Sequence, residues 1–302
     1  MNMKRPRQTS LPSQAGFSLL ELIIATAILT IVMAAVFNGV NLVTQRSQAE
    51  QVKVDLTQEG REFIDEFERD LHQAGYPNCR MVATSGASNC DYTGGTTLVA
   101  KNSQVAAGLV YISSTLIIFE GDVDGDGAVD SVQYQLVDST NAAPTVGSTC
   151  PCTIRRSQVK KDVTNSTAPL AQTPSFSQEL QNVVNSGQPS GTAQYGGGLT
   201  IAGNTAWTGV TNDAYYAAIS SFKDYPVFQA YDQNGNIIPL PLTIANSSDW
   251  AKLTCDPASG GSCVKSIRLT INLLANGITG IDSKTNVRPV TTLVGDVRLV
   301  NN

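Results

Sequence analysis

An α+β fold is predicted for this chain: one long N-terminal helix packed on an antiparallel β-sheet with long loops. Three observations predict it. Residues 17–37 form an apolar run whose helical pattern continues past Arg46, with Leu56, Phe63, Ile64, Phe67 and Leu71 recurring on one face between charged residues. Gly75-Tyr76-Pro77 ends that pattern, glycine as the C-terminal cap and proline as the stop. Beyond it, β-branched and alternating segments succeed one another with few crossover helices, which favours antiparallel pairing against the outer half of the helix.

Taken in order, residues 1–16 form a leader with Lys4, Arg5 and Arg7 and no acidic residue. The apolar run behind it is long enough to span a bilayer, since about 20 residues at ~1.5 Å rise cross the hydrocarbon core. A secretory signal is cut after its apolar region, behind small residues. Here Ala27, Ala34 and Ala35 lie inside a helix that continues, so the scissile point is placed after Gly16, ahead of the run. Glu21 sits one turn into that run, and an ionised carboxylate in a spanning helix costs several kcal/mol unless paired. A cut after Gly16 would create an α-amino group at Phe17, and an adjacent subunit's amine would neutralise Glu21. The other reading is a plain anchor in which Glu21 snorkels to the headgroups.

Gly16-Phe17-Ser18-Leu19-Leu20-Glu21 and the apolar residues through Ala35 resemble the prepilin signal of type IV pilins and type II secretion pseudopilins. The resemblance implies that prepilin peptidase cuts after Gly16 and methylates Phe17, and that Glu21 guides filament assembly with other pilins or minor pilins through the N-terminal helix. It also implies a pilin fold. The domain division expected is 1–16 leader, 17–37 transmembrane and assembly helix, 38–75 amphipathic continuation, and 76–302 extracytoplasmic β-rich domain. The strands from Val264 to the C-terminus resemble PilW-type minor pilins. Major pilins often carry a helix-loosening proline where this chain has Asn38-Gly39; glycine there costs about 1 kcal/mol in a helix interior.

The basic leader keeps residues 1–16 cytoplasmic and puts the rest of the chain in the periplasm, anchored in the inner membrane until it enters a filament. Net charge is -5, and loss of the three leader cations makes it -8, which disfavours nucleic acid as a partner through bulk charge. All six cysteines lie in the extracytoplasmic part: Cys79, Cys90, Cys150, Cys152, Cys255 and Cys263. In an oxidising compartment an even count reads as disulfides. Short loops favour Cys79 with Cys90 and Cys255 with Cys263, while Cys150-Pro151-Cys152 is either a strained tight bridge or a pair that exchanges partners.

Strands are predicted at 109–112, 115–120, 131–137, 227–231, 264–273 and 297–300, with polar loops at 138–151 and 184–214, the latter holding Gly196-Gly197-Gly198. The strongest chemistry lies between the second and third of these. Asp122, Asp124, Asp126 and Asp130, with Gly127 at the sixth place and the Ala128 carbonyl at the seventh, match the oxygen-ligand spacing of an EF-hand Ca²⁺ loop. Gln133 stands where a sensor EF-hand has its bidentate glutamate, so weaker binding is expected. Flanking strands make this a metal-stapled hairpin, and the alternative is a solvated acidic turn.

Catalysis is not expected. The sequence holds no nucleophile elbow, phosphate loop, dinucleotide fingerprint or zinc-protease motif, and its one histidine, His72, falls on the amphipathic helix as an exposed or interfacial residue. Trp207, Trp250, Tyr215 and Tyr216 are expected to pack rather than to bind. The expected function is that of a minor pilin at or near the tip of a type IV pilus. The alternatives are a type II secretion pseudopilin and a membrane-anchored extracytoplasmic binding protein that is never assembled.

Overall fold

The structure is a computed structural model, and it describes residue 16 and residues 18–82, 98–144, 149–150, 152–164, 172–185, 200–201, 226–255, 263–275 and 290–300. The chain divides into two compact units, Met1–Gln48 and Ala49–Asn302. Helix α1, Leu19–His72, runs without a break through Asn38 and Gly39. Its end is the predicted one: Gly75 takes φ 80°, and its N–H donates to the Glu120 carbonyl at 2.8 Å.

Two one-turn helices follow, α2 at Cys79–Val82 and α3 at Leu98–Lys101, and a third short helix, α4, lies at Ser247–Leu253. The strands are β1 Gly108–Ile112, β2 Leu116–Gly121, β3 Asp130–Val137, β4 Thr149–Cys150, β5 Cys152–Lys160, β6 Phe176–Val183, β7 Thr200–Ile201, β8 Phe228–Tyr231, β9 Ile237–Ile238, β10 Leu242–Thr243, β11 Ser266–Leu274 and β12 Val290–Arg298. Ten of them form one antiparallel sheet in the order β10-β1-β2-β3-β5-β6-β11-β8-β9, with β12 paired to β11 along all nine residues. The short strands β4 and β7 pair separately, in parallel. The chain therefore has the expected α+β architecture, a long helix and a large antiparallel sheet.

Within the larger unit, the helix buries Leu56, Phe63, Ile64, Phe67 and Leu71, the face that the periodicity picks out. Phe67 stacks on Phe228 at 5.7 Å and meets the Tyr134 ring edge-on at 5.2 Å, so helix, β3 and β8 share one aromatic cluster. Such pairs add roughly 1 kcal/mol each beyond the area they bury.

Several strand expectations need correction. The final strand is Val290–Arg298, not 297–300: only Gly295 and Val297 of its residues are buried, and with threonine and glycine on the inner face and Val294 exposed on the outer one the alternation is blurred. Strands β5, β6, β9 and β10 lie where no strand was expected, the two-residue β4 and β7 fall within the loops expected at 138–151 and 184–214, and α4 holds Trp250 half-buried against the core. Trp207, Tyr215, Tyr216 and the triple glycine lie outside the described residues. Cys255 and Cys263 are bonded as expected. Cys79 and Cys152 are also disulfide-bonded, and the expected pairing of Cys79 with Cys90 falls on a residue outside the described set.

Candidate functional site

Two places hold the chemistry: the start of α1 and the turn between β2 and β3. At the first, Ser18 and Glu21 form a reciprocal cap. The Ser18 N–H donates to Glu21 Oε2 at 3.1 Å, and the Glu21 N–H donates to Ser18 Oγ at 3.2 Å. Two of the four donors left open by a helix start are thereby satisfied. Gly16 is exposed just ahead of the helix, and Phe17 lies outside the described residues. Past Glu21, the apolar side chains from Leu19 to Val43 are exposed, and the helix is long and apolar enough to cross a membrane. The threonines among them are turned back onto the helix: Thr26 Oγ donates to the Leu22 carbonyl at 2.9 Å and Thr30 Oγ to the Thr26 carbonyl at 2.7 Å. What remains on this surface is one carboxylate, Glu21, the exposed Asn38 and Asn41, and an apolar face.

The second place is built by the end of α1. The Asp122 N–H donates to the Tyr76 carbonyl at 2.9 Å, and Gly121 lies so close under the helix end that a Cβ there would run into the Gln73 carbonyl. From this anchor the turn folds around its own carboxylates. Gly127, at φ 84°, donates its N–H to Asp122 Oδ2 at 3.1 Å, while Asp126 N–H donates to Asp124 Oδ1 at 3.2 Å and Ala128 N–H to Asp126 Oδ1 at 3.0 Å. One oxygen from each of Asp122, Asp124 and Asp126 comes within 4.8 Å of the others. Asp122 Oδ1 is shut off from solvent without a partner. These features fit an oxygen-ligated cation: three converging carboxylates, a glycine in the left-handed conformation at the sixth place, and one orphaned acceptor.

Two further features work against the fit. Along β3, Asp130 and Gln133 fall on opposite faces by strand alternation, so the twelfth place contributes nothing on the side of Asp130. And Lys160, the cross-strand partner of Asp130, reaches Asp126 Oδ2 at 2.6 Å, Asp124 Oδ2 at 3.2 Å and Asp130 Oδ1 at 3.3 Å. Its hydrogen bond to Asp126 pushes the ammonium above the ordinary lysine range and holds the Asp126 carboxyl below its own. Burial pushes Asp130 up, against the hydrogen bonds it accepts from Gln158 and Lys160.

From Asp130 a polar chain runs back to the helix. Gln158 Nε2 donates to Asp130 Oδ2 at 2.8 Å, and Arg156 Nη2 donates to Gln158 Oε1 at 2.9 Å. The same guanidinium pairs with Asp70 at 2.6 Å, and Tyr134 Oη donates to that carboxylate at 2.7 Å. Asp70 is buried on α1. Burial works against the Arg156 charge, but Tyr134 and Asp70 outweigh it and hold the guanidinium above its ordinary range. Beside the turn, Lys161 and Glu120 form a second, fully buried pair at 2.7 Å. Lys161 also donates to the Val99 and Val105 carbonyls, and the Ala107 N–H donates to Glu120 Oε2 at 2.9 Å. Burial pushes the Glu120 carboxyl up, with Lys161 pulling the other way.

None of these basic partners is singled out by the sequence. Lys160 and Arg156 sit on β5, whose polar run conceals a strand. For Asp70 the signal was a carboxylate in phase with Phe63, Phe67 and Leu71. The Ser-x-x-Glu spacing of a capping box was likewise visible at 18–21. His72 ends α1 and is exposed, as expected.

No curated protein and no solved structure matches the chain. Residues 11–37 match the prokaryotic N-terminal methylation motif, a span that includes Gly16, Phe17 and Glu21. The chain thus carries the prepilin-type signature of type IV pilins and pseudopilins, on an apolar N-terminal helix that fits a membrane-anchored pilin.

Proposed function

We propose that this chain is a minor pilin: a structural subunit rather than an enzyme, cut after Gly16, methylated on Phe17 and assembled at or near the tip of a type IV pilus. One observation carries the reading, the methylation motif leading into a helix whose apolar side chains from Leu19 to Val43 are exposed around one carboxylate, Glu21. In the bilayer lipid covers that face; in a filament neighbouring helices replace it, and Glu21 meets the Phe17 amine of the next subunit. The size of the β-rich unit supports a low-copy position, since long loops pack poorly at every step of a filament. Before assembly the leader is cytoplasmic and the sheet periplasmic.

A second reading, a type II secretion pseudopilin, draws on the acidic turn. In either case we infer that Asp122, Asp124, Asp126, the Ala128 carbonyl and Asp130 would hold one structural Ca²⁺, a hard cation suited to carboxylate oxygens. The ion would tie the β2–β3 turn closed; it would do no chemistry.

The test is mass spectrometry of the protein extracted from cells with active prepilin peptidase, together with immunoblots of sheared filaments. The expected species lacks residues 1–16, carries one added methyl and appears in the filament fraction. An intact Met1 terminus overturns the reading, and a processed chain confined to membranes supports the non-assembled anchor instead.

A further inference from the structure

Lys160 ends β5 and faces Asp130 across the ladder. Three of the four carboxylates of the turn offer an oxygen to its ammonium, at 2.6 Å (Asp126), 3.2 Å (Asp124) and 3.3 Å (Asp130). The fourth, Asp122, has one oxygen on the Gly127 N–H and the other enclosed without a partner. A tethered monovalent cation therefore satisfies most of the oxygens that a divalent cation would need, and leaves one unused.

We propose that Lys160 is the built-in counter-ion of the acidic turn and competes with Ca²⁺ for the same carboxylates, weakening the site while holding the turn closed when the ion is absent. The inference rests on the calcium reading above. Ca²⁺ needs oxygens at about 2.3–2.6 Å, and an ammonium in contact with the same atoms repels it, so one cation must leave for the other to enter. Lys160 is free to leave: its side chain is half-exposed on a flexible stem, and Asp130 stays oriented afterwards because Gln158 holds its other oxygen at 2.8 Å. Its neighbour Lys161 differs in every respect, buried and bonded to Glu120 and two backbone carbonyls. Of two adjacent lysines, one is fixed and one is displaceable.

The experiment compares the full-length chain in detergent with Lys160→Met, which keeps the stem and removes the charge, and with Lys160→Arg, which keeps the charge. CaCl₂ is titrated by calorimetry, and melting is followed in chelator and in Ca²⁺. Lys160→Met is expected to bind Ca²⁺ about tenfold more tightly, a change on the order of what two half-exposed ion pairs and a third to the buried Asp130 contribute. It should melt lower than wild type in chelator and no lower in saturating Ca²⁺. Lys160→Arg should follow wild type in both. Binding seen only in Lys160→Met supports the proposal in its strongest form. Equal or weaker binding by Lys160→Met, unchanged melting in chelator, or tighter binding by Lys160→Arg as well overturns it with the calcium reading intact. No heat from any of the three overturns the calcium reading, and the proposal with it.

Discussion

At Glu21 one carboxylate completes the cap of its own helix, accepting from the Ser18 N–H at 3.1 Å, and is also the charge proposed to meet a neighbouring subunit. Glutamine separates the two roles, because it closes a capping box as glutamate does but carries no charge. Glu21→Gln is expected to be cut after Gly16 like wild type, yet to be lost from sheared filaments as fully as Glu21→Ala. Wild-type incorporation of the glutamine variant would assign the residue to helix capping alone. Asp70 is the second residue whose surroundings decide its weight. It is buried, and it holds Arg156 and Tyr134 at once. Asp70→Ala leaves a mostly buried guanidinium without its carboxylate, and the expected loss is about 3 kcal/mol in urea denaturation of the detergent-solubilised chain. A loss below about 1 kcal/mol would mean that solvent or Glu66 replaces the partner. Both residues were legible as types in their sequence positions. Their partners differ: Ser18 was marked by the Ser-x-x-Glu spacing of a capping box, whereas Arg156 arrives from a strand 86 positions away, which no local pattern reports.

Among the elements, the β2–β3 hairpin was legible in full, because apolar runs flank a turn of glycines and aspartates. Strand β5 was not: Arg155, Arg156, Ser157 and Gln158 break its alternation, and Ser157 takes a buried place that an apolar residue would have marked. Its register also shifts against β6 near Ile154, which blurs the period on both strands. Sequence could therefore place the acidic turn but not the basic strand that faces it. The tightest point where the hairpin meets the end of α1 is Gly121 beneath the carbonyl of Gln73. Backbone cannot retreat as a flexible side chain can, so Gly121→Ala is expected to destabilise by roughly 1–3 kcal/mol. The same change should weaken any cation binding at Asp122, the next residue. If Gly121→Ala melts like wild type, the end of α1 is free to lift and does not fix the turn.

For the molecule as a whole, stability divides among the aromatic core shared by α1, β3 and β8, the disulfides, and whatever cation closes the acidic turn. The first two are permanent; the third depends on the medium. A ligand that binds only the native state stabilises by RT ln(1 + [L]/Kd), about 2.7 kcal/mol at 100 times Kd. In a domain of this size each kcal/mol moves the midpoint by roughly 2–4 °C, so Ca²⁺ at 100 times Kd is expected to raise melting by about 5–10 °C over chelator. Mg²⁺ should do much less, because it gives up its waters reluctantly. Asp124→Ala combined with Asp126→Ala should erase the Ca²⁺ difference. It also removes two of the Lys160 partners, so the variant should melt below wild type in chelator. That second effect tells the two cations apart: loss in chelator measures the hold of Lys160, and loss of the Ca²⁺ increment measures the metal. Identical melting of wild type with Ca²⁺ and with chelator, joined to a lower midpoint for the double variant, would leave Lys160 as the only cation that the turn was built to hold.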